Sequence, residues 1–194
     1  MRRATQGNGA CVLGTWPNKS TTALRENAPQ GPFQIPQGSR KAGESFISPA
    51  GENMKGVQTM IAAICLDDHL GMLFNRRRLS QDRCVRSDLL VHLQGQKLWL
   101  NAYSARQFSD TEQESLHIAE DFLEKAPDGA YCFVENQALA PYLDRLEELI
   151  IYRWNRVYPS DMRFDLDLSE WKLIEQEEFP GHSHEKITKE RYIK

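Results

Sequence analysis

The sequence lacks any long apolar run, and this excludes a membrane-spanning helix. The longest apolar run in the 194-residue chain, Met60–Leu66, is far shorter than the roughly 20 residues that cross a bilayer. The N-terminal Met1-Arg2-Arg3 is followed by polar residues, not by an apolar segment, so no secretion signal is predicted. We therefore expect a soluble, cytoplasmic protein with no membrane partner.

The sequence also has little that is typical of a metal site or a disulfide framework. Its four cysteines are widely separated and include no Cys-x-x-Cys pair, so we interpret them as small buried hydrophobic residues in a reducing compartment and expect no disulfide framework. The segment His182–Glu185 contains the only closely spaced histidines. It matches no HxHxDH or HExxH pattern and has no third ligand, so we predict a loop before an edge strand and no metal site.

Basic residues are fewer than acidic ones over most of the chain, and this excludes a general nucleic-acid-binding surface. Acidic residues outnumber basic ones over residues 60–194, whereas DNA-binding domains present a broad basic face. We therefore expect no DNA partner. The exception is a patch of five arginines, namely Arg76, Arg77, Arg78, Arg83 and Arg86. This patch favours binding of a phosphate group on a nucleotide, a phosphorylated metabolite or RNA, and the alternative is a solvated loop.

Residues 1–59 differ in composition from the rest of the chain. They hold most of the twelve glycines and nine prolines and show no helical or strand period. Such a segment buries too little apolar surface to offset its ordering entropy, so we expect a disordered tail. Alternatively this segment is not translated, because Lys55–Val57 can be encoded by a bacterial ribosome-binding sequence upstream of a start at Met60. The intact mass of the native protein distinguishes the two.

From Met60 onward, short apolar segments alternate with helical ones. We predict strands at Met60–Leu66, Lys97–Leu100, Ser115–Ala119 and Ala130–Val134, followed by extended segments at Leu149–Trp154, Trp171–Phe179 and Lys186–Ile193. The order predicts one α/β domain over residues 60–194, with a single mostly parallel twisted sheet, antiparallel C-terminal strands and flanking helices.

Three features of the connections are also predicted. Met72–Leu79 is expected to be a loop, and Ser80 is expected to cap the first helix, with Asp82 in its first turn. Gln137–Leu146 is expected to be a helix, with Pro141 near its start.

Several short segments resemble the dihydrofolate reductase family. Ile61–Ile64 with Gly71-Met72 resembles its first strand and Gly-Met loop, and Leu143–Trp154 resembles its last helix and following strand. Ser160–Phe164 resembles its Gly-Asp-Thr-x-Phe turn. The Trp-containing segment that follows and the closing strand have counterparts in Leu168–Leu173 and Lys186–Ile193. The resemblance implies a dihydrofolate-reductase-like fold over most of residues 60–194.

The same resemblance implies an NADPH site, but the motifs for it are missing. Asn101 and Ala102 stand where the family has the first two residues of its Gly-Arg-x-Thr turn, and Glu135-Asn136 stands where it has a Gly-Gly pair. A carboxylate repels a pyrophosphate, and side chains block the close approach that glycine permits. The Trp and Pro of the family's substrate loop are replaced by the arginine-rich loop. NADPH is therefore disfavoured as a cofactor, and a divergent NADPH-dependent reductase is the alternative.

Candidate site residues follow from this comparison and from the ends of the strands. Asp82 lies near the position of the family's catalytic acid, and a cap of the first helix is the alternative. Asn101, Tyr103 and Ser104 follow a buried strand, where doubly wound sheets bind ligands, and an ordinary turn is the alternative. We expect these three residues, with Arg76–Arg78 and Arg83, to bind a small-molecule or nucleotide-like ligand.

The chain also resembles short bacterial proteins that carry the name ribonuclease Z. Enzymes of the metallo-β-lactamase family that deserve that name need several His and Asp clusters, and this chain has five histidines in all. The name therefore has no chemical support in this chain. The arginine loop nevertheless leaves an RNA-processing or RNA-binding function as a third hypothesis. Whether the protein is an enzyme is not predicted.

Overall fold

A computed structural model of the chain describes residues 58–194. The hypotheses for residues 1–59 therefore concern a segment that lies outside the described residues except for Gln58 and Thr59. Over the described range the chain forms two β-sheets, three α-helices and three short 3₁₀ helices.

The large sheet has seven strands in the order β5-β4-β6-β1-β7-β10-β9. The strands are β1 (Met60–Leu66), β4 (Leu98–Leu100), β5 (Leu116–Ile118), β6 (Ala130–Val134), β7 (Leu146–Arg153), β9 (Lys172–Phe179) and β10 (Ile187–Ile193). Neighbouring strands from β5 to β7 are parallel, whereas β10 is antiparallel to both β7 and β9. The predicted α/β class and mostly parallel sheet are confirmed.

Strand β1 lies in the middle of the sheet between β6 and β7, which explains its continuous apolar sequence. Alternate side chains of a strand point to opposite faces, and both faces are covered here. Ala62 and Ile64 pack into one core cluster with Phe122, whereas Ala63 packs into the other with Leu89. A strand that is buried on both faces has no position at which a polar residue is favoured.

The small sheet corrects the prediction that Met72–Leu79 is a loop. It contains β2 (Gly71–Phe74), β3 (Arg77–Arg78) and β8 (Met162–Arg163), in the order β3-β2-β8. Strands β2 and β3 are joined by Asn75 and Arg76, both of which have positive φ angles. Two such residues are typical of a tight hairpin turn, and strands this short carry too few residues to show a period of two.

The helices are shorter than expected, and two predictions about them are wrong. The α-helices are α1 (Arg83–His92), α2 (Ala102–Ala105) and α3 (Phe122–Lys125), and the 3₁₀ helices are Gln113–Ser115, Ala140–Arg145 and Leu168–Glu170. The residue that caps α1 is Asp82, not Ser80, because its Oδ1 accepts from the Cys84 N–H at 2.8 Å. The predicted helix at Gln137–Leu146 is the second of the 3₁₀ helices, with Pro141 in its first turn.

The cysteines correct one further prediction. Cys65 and Cys132 are free thiols, and burial raises the pKa of Cys132 to about 12. Cys84 is disulfide-bonded, so the interpretation of the cysteines as residues of a reducing compartment is wrong for this residue. Between residues 58 and 194, no helix combines the length and apolar character that a membrane span needs.

Candidate functional site

Strands β1, β4 and β6 are parallel and end at the same edge of the large sheet. Asn101 directly follows β4 and Glu135 directly follows β6. The β2–β3 hairpin reaches this edge, because the backbone N–H of Arg78 donates to the Tyr103 hydroxyl at 2.6 Å. The fold thus brings the arginine segment and the residues after β4 together, as the sequence predicts for a ligand site.

Tyr103 positions the side chain of Arg78. The Arg78 guanidinium donates from Nη2 to the Tyr103 carbonyl oxygen at 3.0 Å, and it lies 4.8 Å from the centre of the Tyr103 ring. Together with the backbone bond, these contacts hold Arg78 in one orientation, and a planar guanidinium held in this way is suited to directional recognition of an anion.

Asn101 and Ser104 are both buried, and they differ in how their side chains are used. Asn101 caps helix α2 by accepting from the Ser104 N–H at 3.0 Å, and its Nδ2 donates to the Asn136 side chain at 2.7 Å. Its amide is therefore occupied within the protein. The Ser104 hydroxyl, in contrast, is buried and faces Glu135 without a hydrogen bond of normal geometry.

Glu135 is the centre of a buried polar group of five residues, which we call the Glu135 cluster: Arg78, Arg86, Ser104, Gln107 and Glu135. Burial raises the pKa of Glu135, and the nearby Arg78 guanidinium opposes this shift. Arg78 Nη1 lies 3.5 Å from Glu135 Oε2, which is an ion pair but longer than a normal hydrogen bond. The Ser104 and Gln107 side chains are directed at the Glu135 carboxylate as hydrogen-bond donors, and together with the charge of Arg86 they lower its pKa.

Each member of the Glu135 cluster contributes one buried polar atom that makes no hydrogen bond of normal geometry, although Arg78, Ser104 and Gln107 face Glu135. Over residues 58–194, the buried side-chain nitrogen and oxygen atoms of this kind, which we call unpaired, are Arg78 Nη1, Arg86 Nε, Ser104 Oγ, Gln107 Nε2 and Glu135 Oε2. An unpaired buried polar group costs about 1–3 kcal/mol, and native proteins keep few of them. Their concentration in one cluster indicates a place where a polar ligand or ordered water completes the hydrogen bonds.

An open cavity of about 630 Å³ borders the Glu135 cluster at Arg78, and Tyr103 also lines this cavity. Its lining also includes Arg77, Ser80, Gln81 and Ser183. A second cavity, of about 580 Å³, shares Arg77 and Arg78 and extends along the β2–β3 hairpin.

The remaining predicted arginines lie apart from this cavity. Arg76 is exposed in the hairpin turn, and Arg83 is exposed on α1; neither lines either of the two cavities. The arginine patch is therefore divided: Arg77 and Arg78 line the cavity, and Arg86 belongs to the Glu135 cluster.

The carboxylate of Asp82 is fully enclosed by donors. It accepts from the backbone N–H groups of Cys84, His182 and Ser183 at 2.7–2.9 Å, from the Ser183 hydroxyl at 3.0 Å and from His184 Nδ1 at 3.1 Å. Burial would raise the pKa of Asp82, but the three backbone N–H groups and His184 hold it well below its usual range. A carboxylate held in this way stays ionised at neutral pH, so the geometry favours the capping role over proton donation. It also places a negative charge at the N-terminus of α1, which opposes the binding of an anion there.

The segment after Pro180 folds over Asp82 because residue 181 is a glycine. A Cβ atom at Gly181 would lie 2.6 Å from Asp82 Oδ2 and 2.9 Å from the His184 carbonyl oxygen. Only a residue without a side chain permits this approach.

His184 is buried, with its side chain 2% exposed. Its ring stacks on Trp154 with centroids 4.6 Å apart and an angle of 20° between planes. Its Nε2 lies 3.0 Å from Ser80 Oγ and 3.4 Å from the Tyr158 hydroxyl. Because Nδ1 faces the ionised Asp82, Nδ1 carries the proton and Nε2 is the acceptor.

The sequence did not reveal the connection between these residues. His184 is 102 positions from Asp82, and a single histidine in a Pro-Gly loop gives no signal of such a contact. Across residues 58–194 no three His, Cys, Asp or Glu side chains are grouped so that they could hold a metal ion.

Comparison with known proteins gives no independent assignment. No protein-family model matches the chain, and a search of curated proteins finds no match. The geometry of the Glu135 cluster and of the hydrogen bonds around Asp82 is therefore the basis for a functional proposal.

Proposed function

We propose that residues 60–194 form a dihydrofolate-reductase-like domain that binds a small phosphorylated or nucleotide-like ligand at the Glu135 cluster and in the adjoining cavity. The observation that carries this proposal is the set of five unpaired buried polar atoms, which all belong to residues around Glu135. They include donors and an acceptor, so they suit a ligand with both kinds of group.

Contacts among the segments that resemble the family support the fold part of the proposal. Strand β7, within Leu143–Trp154, pairs with β1 on one side and with the closing strand β10 on the other. Gly71 of the Gly-Met segment pairs with Arg163 of the Ser160–Phe164 turn. Segments that are far apart in sequence and resemble one family thus lie side by side in one arrangement.

Two arginines support a phosphate group as part of the ligand. Arg77 is exposed and lines the cavity, and Arg78 lines it with a guanidinium that Tyr103 orients. Arginine binds phosphate through two parallel N–H···O bonds. A phosphate at Arg77 and Arg78 would leave the remainder of the ligand against Ser80, Gln81 and Tyr103, which line the same cavity.

The side chains after β4 and β6 favour a ligand other than NADPH. Asn101 and Glu135 are 2% and 7% exposed and fill the edge of the sheet with an amide and a carboxylate. The backbone at these positions is therefore covered, whereas a dinucleotide pyrophosphate needs close backbone approach.

Thermal shift against nucleoside mono- and diphosphates, inorganic pyrophosphate and NADPH tests the proposal, because a ligand that binds the folded state raises Tm by mass action. We expect a nucleotide or a phosphorylated compound to raise Tm. Arg77→Ala should weaken that binding at least about tenfold, a loss of one arginine–phosphate contact. Arg106→Ala, which removes an exposed arginine outside both cavities, is the matched control.

The same experiment distinguishes the other hypotheses. Equal affinity in the Arg77→Ala and Arg106→Ala variants would contradict a phosphate site at Arg77. A shift with NADPH alone would favour a divergent reductase. Salt-dependent retention of RNA that is lost when Arg76–Arg78 are changed to alanine would favour the RNA-binding hypothesis.

A further inference from the structure

Ser80, His184 and Asp82 form a continuous hydrogen-bonded chain at the edge of the open cavity. Ser80 Oγ lies 3.0 Å from His184 Nε2, and His184 Nδ1 lies 3.1 Å from Asp82 Oδ2. We propose that Ser80 is a nucleophile, that His184 is its general base and that Asp82 orients His184, so that the protein transfers or hydrolyses acyl groups.

The two distances fit the requirements for an activated serine. A nucleophile and its base need to lie within about 2.6–3.2 Å, and the base needs a third group that fixes its orientation. Asp82 fixes the tautomer of His184, because the ionised carboxylate accepts the Nδ1 proton and leaves Nε2 free to accept from Ser80. Stacking on Trp154 fixes the plane of the ring.

The exposure of the three groups follows the order that this chemistry needs. The side chains of Asp82 and His184 are 0% and 2% exposed, so water does not compete for the bond between them. Ser80 is partly exposed and lines the cavity of about 630 Å³. A substrate in the cavity can therefore reach the hydroxyl, whereas the base and the carboxylate are shielded from solvent.

Asp82 is well supported for its role. The three backbone N–H groups and the Ser183 hydroxyl that it accepts from keep the carboxylate ionised and in place when His184 gains a proton. The imidazolium then has a fixed negative charge beside it, which stabilises the charge that develops during the reaction.

The reaction is a two-step hydrolysis of an ester. Ser80 Oγ attacks the carbonyl carbon and its proton passes to His184 Nε2. The C–O bond to the leaving group breaks, and the leaving alcohol takes that proton. Water then attacks the acyl–Ser80 ester, gives a proton to His184, and releases a carboxylic acid while Ser80 regains its hydrogen. Because Arg77 and Arg78 line the same cavity, the substrate class is an ester or thioester that carries an anionic group.

An uncharged fluorophosphonate probe tests the proposal on the full chain. The fluoride leaves as the serine oxygen bonds to phosphorus, so an activated serine gains one adduct by intact mass. We expect one adduct per folded chain, located at Ser80 by peptide mapping. It should be absent in Ser80→Ala and present in Ser169→Ala, which removes an exposed hydroxyl outside the cavity.

Two outcomes would overturn the proposal: no adduct on the folded wild type, or equal labelling of the wild type and Ser80→Ala. His184→Gln should slow labelling at least about 100-fold, as expected for loss of a general base. The comparison of Ser80→Ala with Ser169→Ala decides the outcome even if the His184 variant does not fold. The probe has no nucleotide and no free phosphate, so failure here leaves the proposed ligand site unaffected.

Discussion

Asp82 and Glu135 are both buried carboxylates, and the protein provides them with very different hydrogen bonds. The two oxygens of Asp82 accept from five donors. Glu135 has one arginine at 3.5 Å, and its Oε2 is among the atoms without a hydrogen-bond partner. Accordingly, the pKa of Asp82 is lowered despite its burial, whereas burial raises the pKa of Glu135.

This difference indicates what each carboxylate is for. A buried charge whose hydrogen bonds are all made within the protein stabilises the fold around it. A buried charge with incomplete hydrogen bonds costs stability, and such a cost is typical of sites that bind ligands. We therefore interpret the Asp82 environment as preorganised and the Glu135 cluster as a site completed by its ligand. Four predictions test this interpretation.

The largest effect is expected for Asp82→Asn. The amide keeps the size of the side chain but brings an NH₂ group to face donors that now lack an acceptor. The substitution removes charge-assisted hydrogen bonds and leaves buried N–H groups unpaired. Together these changes should lower the free energy of unfolding by about 3 kcal/mol. Urea denaturation measures this value, and Asp167→Asn, which alters an exposed cap, is the control. A loss below about 1 kcal/mol would contradict the role given to Asp82.

Acid sensitivity is the next effect, and the two carboxylates should contribute with opposite sign. For Asp82 the folded pKa is lowered, so its contribution to stability is present above the unfolded value of about 4 and is lost as the pH falls through the folded pKa. For Glu135 the folded pKa is raised, so its contribution is present below about 4 and is lost as the pH rises through the folded pKa.

Unfolding free energies measured from about pH 2 to pH 7 test these signs. The stability difference between wild type and Asp82→Asn should shrink as the pH falls below about 4, because the wild-type carboxylate then becomes protonated in the unfolded chain. The difference between wild type and Glu135→Gln should change in the opposite direction with pH. Parallel curves for both variants would contradict the comparison.

A moderate effect is expected for Gly181→Ala. The added Cβ would lie 2.6 Å from Asp82 Oδ2 and 2.8 Å from Ile187 Cδ1, so the loop has to move away from the carboxylate. Overpacking of this kind costs about 1–3 kcal/mol, which thermal unfolding measures. Glu185→Ala, at an exposed position of the same loop, should change Tm little. An unchanged Tm in Gly181→Ala would show that the close fit over Asp82 is not required.

The smallest effect on stability is expected for Glu135→Gln. The amide is similar in shape and removes the buried charge, while Arg78 keeps its bond to the Tyr103 carbonyl oxygen. The two changes oppose each other, so we expect the free energy of unfolding at pH 7 to change by less than about 1 kcal/mol. The affinity for the ligand found by thermal shift should nevertheless fall. A large loss of stability would show that Glu135, like Asp82, stabilises the fold around it.

The sequence predicts the large sheet well because its inner strands are apolar on both faces. Met60–Leu66 and Ala130–Val134 are continuous apolar runs, and both lie at the centre of the sheet. The β2–β3 hairpin is missed because strands of four and two residues are too short to show a period. The start of α1 is misplaced by two residues because Ser80 and Asp82 are both good caps by residue type, and Ser80 bonds His184 instead.

The candidate site is predicted only in part, because several of its contacts join residues that are far apart in the sequence. Tyr103 and Ser104 are anticipated because residues that follow a parallel strand lie at the edge where ligands bind, and Arg78 is anticipated because it belongs to the arginine run. Gln107 and His184 are missed, since nothing in their local sequence marks them as polar residues that turn inward. Glu135 is noticed only as an obstacle to a dinucleotide, whereas in the structure it is the centre of the polar cluster.

The position of β10 has a consequence for the order of assembly during synthesis. This strand lies between β7 and β9, and the loop just before it supplies His182, Ser183 and His184 to Asp82. A nascent chain that has not yet emerged beyond residue 193 has β9 without its hydrogen-bonding neighbour, and one shorter than residue 184 leaves the start of α1 incompletely enclosed. Strand β10 and the loop before it therefore complete the sheet and the hydrogen bonds around Asp82 in the same step.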